Sequence, residues 1–114
     1  MKVIVAGSRF FDNYEVVVRS IMVSGFHMTE LVCGMCRGPD LIAASWAYRE
    51  GIKVTPFPAD WDKYGKAAGP IRNQQMADYA DALVAIWDGK SRGTRSMIDR
   101  AKKKGLLVYV YRTD

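Results

Sequence analysis

Five short stretches of the chain are apolar or β-branched almost without interruption: "KVIVAG", "ELVCG", "KVTPFP", "ALVAIW" and "LLVYVY". Each has strand length, and polar segments with helical spacing lie between them. In "FDNYEVVVRSIMVSG", Asp12 and Glu15 stand three apart as in a capping box, and Phe11 can staple onto Val16. A helix is therefore expected from Asp12 or Asn13, with Val17, Ile21 and Ser24 on its inner face. "GPDLIAASWAYREG" predicts a second helix, with Pro39 in the first turn, Leu41, Ala44, Ser45 and Tyr48 on one face, and Gly51 at the end. "PIRNQQMADYA" predicts a third, opening at Pro70, and "GTRSMIDRAKKKG" a fourth, closed by Gly105. Pro56 interrupts the third strand and places it near a sheet edge.

Strand and helix alternate from end to end, and the strands lack the polar alternation of a sheet with one wet face. Both faces should be covered. The fold class expected is α/β: a Rossmann-like three-layer sandwich with a five-stranded parallel sheet, order 3-2-1-4-5, formed by a single domain over 1–114. No repeat, linker or low-complexity segment interrupts the pattern.

The composition, 49% hydrophobic and 25% charged, is that of an ordinary globular chain. No apolar run approaches the ~18 residues of a membrane span, and the N-terminus reaches Gly7-Ser8-Arg9 too soon for a secretory signal. A cytoplasmic protein with no membrane partner is expected. The net charge of +5 permits an anionic partner without identifying one. Lys102, Lys103 and Lys104 precede Gly105, where lysines offset a helix terminus; a nucleic-acid patch is the competing reading. Cys33 and Cys36 have redox spacing, but Cys33 falls inside a strand, and two cysteines cannot make a four-ligand zinc site. His27 lies at the opposite, amino-terminal edge of the predicted sheet.

In an open parallel sheet a ligand sits beyond the carboxyl ends of the strands, where the strand order reverses. The segments emerging there are "GSRFFDN", "GMCRGPD", "ADWDKYGKAAGP" and "DGKSRGT". All contain glycine, and together they carry Arg9, Arg37, Lys63, Lys66, Lys90, Arg92 and Arg95, with Arg72 close behind. Glycines let a backbone approach an anion and helix N-termini present free N–H groups, so this basic rim points to a phosphorylated ligand. The chain lacks G-x-G-x-x-G after the first strand, and "YGKAAG" lacks the first glycine and the final hydroxyl of a P-loop. No Ser-His-Asp set is visible. The reading calls for no cofactor and no metal.

"AGSRFF", "GMCRGPDLIAASWA", "FPADWDKYGKAAGPIRNQQM" and "GKSRGT", in this order, resemble the SLOG superfamily. This Rossmannoid group includes LOG-type nucleotide phosphoribohydrolases and the DNA-processing protein DprA. The nearest likeness is to its small YspA/YpsA-related branch of bacteria and phages, and it extends from Val3 to about Val110. The resemblance implies a nucleotide-derived ligand at the carboxyl edge. Carried over by position, Gly7, Ser8 and Arg9 match the first binding turn, and Gly34, Arg37, Gly38 and Asp40 the second. Gly93 and Thr94 match a phosphate-holding pair, and Arg72 matches an arginine that the hydrolases place at the start of the helix after the third strand. LOG-type enzymes follow the Gly-Thr pair within one turn by a glutamate taken to serve in N-glycosidic cleavage. Here that turn holds Arg95, Ser96 and Met97, and the first carboxylate is Asp99.

Residues 60–69 then read as a ligand-covering loop. Trp61 and Tyr64 offer flat faces to a base, Lys66 and Arg72 offer charge to phosphate, and Asn73 can hold a ribose hydroxyl or cap the turn. The function expected is binding of a nucleotide or nucleotide-derived ligand, for sensing or sequestration. One alternative is a nucleotide-processing hydrolase, with Asp60 or Asp88, each directly after a strand, and Arg72 as catalytic candidates. A second is single-stranded nucleic-acid binding, which requires the basic rim to continue as a groove lined by aromatics. A homo-oligomer, most simply a dimer, is also expected.

Overall fold

The computed structural model describes residues 1–114. The strands are β1 (Lys2–Gly7), β2 (Glu30–Cys33), β3 (Lys53–Pro56), β4 (Ala82–Trp87) and β5 (Leu107–Arg112). All pair in parallel, in the order β3-β2-β1-β4-β5. The central register sets Ile4 between Val32 of β2 and Leu83 of β4. Successive β1 residues point to opposite faces and both faces are dry. Val3 and Val5 join a core with Leu31, Val84 and Ile86, whereas Ile4 and Ala6 join one with Val32, Leu83 and Ala85. Two buried faces leave the strands no polar positions, as the unbroken apolar runs require.

The first core is covered by α1 (Tyr14–Ser24) and α2 (Pro39–Arg49), the second by α4 (Ala68–Tyr79) and α5 (Arg92–Lys104). Asn13 caps α1 by accepting from the N–H of Val16, and Gly25 closes it in the left-handed region. Val17 and Ile21 face inward with Ser20; Ser24 is only half-buried. On α2 the inward face is Pro39, Asp40, Ala43 and Ala47, whereas Leu41, Ser45 and Tyr48 are exposed. That corrects the face expected from the larger side chains. The reason is proximity: a β-carbon on Gly7 of β1 would fall 2.6 Å from Pro39 Cγ, so α2 sits too close to the sheet for large residues.

The segment before α4 also differs from the expected loop. Asp60 accepts from the N–H of Lys63 and caps a short helix, α3 (Trp61–Tyr64); a 3₁₀ turn over Gly65–Ala67 then runs directly into α4. No β-branched residue occurs between 60 and 70, and Ala67-Ala68 favours helix, so the chain winds early. Pro70 sits inside the first turn of α4, where its missing N–H costs nothing. α5 begins at Arg92 behind its cap Ser91 and ends at Gly105 after the three lysines, as the sequence predicts.

Candidate functional site at the carboxyl edge of the sheet

Six polar or charged residues are buried: Ser8, Ser20, Asp40, Arg72, Asn73 and Thr94. All except Ser20 follow β1 or β2 or open α4 and α5, and so collect at the carboxyl edge, around the point where β1 lies between β2 and β4. Polar groups concentrated at one edge of an otherwise apolar interior need a local reason, because burying each one is costly.

Arg72 is the hub. It is 7% exposed and reaches from α4 across to the β2–α2 loop. Its Nη1 donates to the carbonyl of Gly34, its Nη2 to Cys36 Sγ at 3.4 Å, and its Nε to Asn73 Oδ1 at 3.0 Å. Asn73 Nδ2 in turn donates to the carbonyl of Gly93 at 3.3 Å, tying α4 to the first turn of α5. There Ser91 Oγ accepts from the N–H of Thr94 and lies 3.1 Å from Thr94 Oγ1. Space at Gly93 is open, since a β-carbon there would meet nothing within 4 Å. Gly34 is the reverse case: a β-carbon would come 2.9 Å from Arg72 Nη1 and 3.0 Å from Asp40 Oδ2.

Asp40, 4% exposed, has backbone N–H groups of Cys36 and Gly7, from the turns after β2 and β1, beside its carboxyl. Burial pushes its carboxyl up to about 7, ahead of the opposing pull of the Arg72 guanidinium and these N–H groups. Arg72 has no carboxylate within ion-pair distance; the four ion pairs of the structure join Lys53 to Glu30, Arg95 to Asp99, Lys104 to Asp78 and Arg112 to Asp114. A buried cation with only neutral hydrogen-bond partners therefore lies beneath the edge.

Ser8 closes the β1 side: its N–H donates to the carbonyl of Ile86, and its Oγ accepts from the N–H of Asp88 at 3.4 Å. Ser8, Gly34, Asp40, Arg72, Asn73, Gly93 and Thr94 are thus brought together. Arg9, Arg37 and Lys66 are exposed and make no hydrogen bond to this set; Arg9 and Arg37 face the α2 side. Trp61 is largely exposed, and its ring end lies over Gly69. Both carboxylate candidates hold backbone. Asp60 caps α3, and Asp88 accepts from the N–H groups of Ser91 and Lys90, which hold its carboxyl below the usual range. The buried polar residues of this edge are instead Ser8, Asp40, Arg72, Asn73 and Thr94. His27 is exposed at the amino edge, where its carbonyl accepts from the chain's first amino group. Cys33 is buried, its thiol pushed up to about 11 by burial, and both cysteines are free.

Two participants escaped the sequence reading. Cys36 sits against Arg72 because α4 crosses above the β2–α2 loop. Met35 adopts φ 62°, a left-handed conformation costly for a side chain of its kind, directly after Gly34. The Gly-x-x-x-Gly interval from Gly34 to Gly38 signalled a sharp loop without saying which residue takes the strain.

A parallel sheet in this order with a polar, helix-capped carboxyl edge defines a Rossmann-like α/β protein. The comparisons narrow that class. Residues 1–64 match the family described as the YspA, cpYpsA-related SLOG family. The Gene 61 protein of Mycobacterium phage D29 is 36% identical over 117 residues, covering 94% of this chain and 93% of that protein. The prophage-derived protein YoqJ of Bacillus subtilis is 42% identical over 41 residues, 36% of this chain and 24% of that one. Among solved structures, DNA processing protein A (DprA) from Streptococcus pneumoniae superposes with a TM-score of 0.77 at 21% identity over 96% of this chain. This chain spans about half of that one (49%), and at such identity the likeness is one of fold. The chain belongs to the YspA, cpYpsA-related SLOG family. No helix is long and apolar enough to cross a membrane.

Proposed function

We propose that the chain binds a nucleotide or nucleotide-derived phosphorylated ligand at the carboxyl edge of the sheet, sensing or sequestering it without cleaving it. One observation carries the reading: the Arg72 guanidinium is buried, has only neutral hydrogen-bond partners, with the Asp40 carboxyl across Gly34 and outside ion-pair distance, and is tied through Asn73 to an α5 N-terminal turn left open at Gly93. A buried charge is costly until it is paired, and a phosphate group would supply the partner. Trp61, Tyr64 and Lys66 stand exposed beside this edge and are assigned to the base and the outer phosphate oxygens. The structural neighbour, a DNA processing protein, and the family membership agree with a nucleotide-related role. We also include a cytoplasmic location and a homodimer in the proposal; exposed Met22, Val23 and Leu107 supply apolar area for an isologous contact, which sedimentation would test.

Calorimetric titration with nucleoside mono-, di- and triphosphates tests the site. Arg72→Ala is expected to weaken the best binder by ~1.5–3 kcal/mol, the scale of a charged hydrogen bond. Gly93→Glu, whose side chain enters open space, should leave the fold intact and block phosphate by charge. Equal affinity in wild type and Gly93→Glu, with both proteins folded, would place the ligand elsewhere.

A further inference from the structure

Arg9 and Arg37 do not turn toward Arg72. They line a groove of about 570 Å³ between the β1–α1 loop, the β2–α2 loop and the length of α2. Phe10, Tyr14, Leu41 and Arg49 complete its walls. Phe10 is 80% exposed at the tip of its loop, and Tyr14 and Leu41 are exposed as well. Each ring carries a guanidinium: Arg9 lies 5.3 Å from the centre of Phe10, and Arg49 lies 5.8 Å from the centre of Tyr14. Against three arginines the groove holds one carboxylate, Asp12. From Leu41 to Arg49 the α2 wall rises by about 12 Å, so the charges are spread along a track rather than gathered at a point.

We propose that this groove along α2 is a track for single-stranded nucleic acid. Alternating cations and exposed flat rings match a chain of alternating phosphates and bases. An acidic polypeptide would satisfy the arginines but has no regular series of rings to stack on Phe10 and Tyr14. The track also meets the sheet-edge site. Gly38 packs against the backbone of Ser8 and Arg9, so within one turn Ser8 is buried at the sheet edge, where its Oγ meets the N–H of Asp88, while Arg9 lines the groove. A strand lying along α2 would thus place a terminal nucleotide at the edge. The inference rests on the proposed nucleotide site for that terminal contact only.

The test is fluorescence anisotropy of the full chain with a labelled oligodeoxythymidine of about 15 nucleotides, within the site sizes that single-strand binders show. Phe10→Ala is expected to weaken binding about tenfold, the scale of one lost base stack. Arg49→Gln should weaken it too and reduce the slope of log K against log salt by about 0.7, one phosphate contact fewer on a single strand. Both side chains are exposed, so neither change threatens the fold. Neither variant should alter calorimetric binding of a nucleoside phosphate. The track is overturned by absent binding at low salt, by Phe10→Ala binding as wild type does, or by polyglutamate displacing the oligonucleotide equally well at matched charge. If nucleoside phosphates fail to bind while the oligonucleotide binds through Phe10, the sheet-edge reading falls and the track stands.

Discussion

At the scale of single residues, the relation between Asp40 and Arg72 governs both stability and binding. The two lie on either side of Gly34, with Cys33 and Cys36 as the other titratable neighbours. In an unfolded chain the Asp40 carboxyl titrates near 3.8, and in the folded protein at about 7. Between those values the folded state keeps a proton that the unfolded state has released. The stabilisation is therefore complete below about pH 4, declines as pH rises, and levels off above about pH 7. The slope in that window reaches up to ~1.4 kcal/mol per pH unit. Urea unfolding of the wild type across the window should show this decline, and the difference between wild type and Asp40→Asn isolates it from other carboxylates. A difference that does not vary with pH would mean that Asp40 is ionised throughout. Gly34→Ala tests the same geometry sterically. Its methyl group would meet Arg72 Nη1 and Asp40 Oδ2 and displace the guanidinium, so ligand affinity should fall by at least the Arg72→Ala increment.

At the scale of elements, the caps decide how firmly the edge is held. Ser91 is the cap of α5, its Oγ serving both the N–H and the hydroxyl of Thr94. Ser91→Ala should cost about 1 kcal/mol in denaturant unfolding, the usual value of an N-cap side chain, and an unchanged midpoint would show the cap to be idle. How much the sequence revealed also divides by element. The strands were legible because two dry faces demand unbroken apolar runs; their alternation with helices called for a parallel sheet, and the order 3-2-1-4-5, the simplest Rossmann-like topology, is the one observed. The turns after β1, β2 and β4 were legible because their glycines precede helices. The inner face of α2 was not: periodicity weighs side chains by size, whereas Ala43 and Ala47 face the core because Pro39 lies against Gly7. The winding of residues 61–67 escaped because a strand-to-helix connection rich in glycine reads as loop until its cap, Asp60, is seen to close a turn. The bond from Arg72 to Gly34 spans 38 positions and depends on how α4 crosses the β2–α2 loop, which no local pattern encodes. The outward turn of Arg9, one residue after buried Ser8, is a matter of loop direction and was invisible for the same reason.

At the scale of the whole molecule, the question is whether this edge can cut a glycosidic bond as well as hold a nucleotide. Four carboxylates bear on the question: Asp88, Asp60, Asp99 and Asp40. Asp88 binds the N–H groups of Lys90 and Ser91 and is held in its charged form, so it cannot deliver a proton near neutrality. Asp60 caps α3 and is exposed. Asp99 stands about a turn and a half beyond Thr94, about 70% exposed and paired with Arg95 at 3.9 Å, away from the open end of α5. Asp40 titrates at a value suited to proton transfer, yet it is enclosed. The turn after Gly93-Thr94 that would hold a catalytic glutamate holds Arg95, Ser96 and Met97, and Met97 is buried in the core. Loss of a positioned general acid forfeits a factor of ~10²–10⁴ in rate. Incubation with nucleoside monophosphates should therefore release no free base above the buffer control when followed by chromatography, although the same nucleotides bind. Should slow release appear, Asp60→Asn or Asp88→Asn is expected to abolish it and Asp99→Asn to leave it nearly intact. Robust release that disappears in Asp99→Asn would mean that α5 shifts its register when ligand binds, bringing that carboxylate to the edge, and the protein would then be a hydrolase.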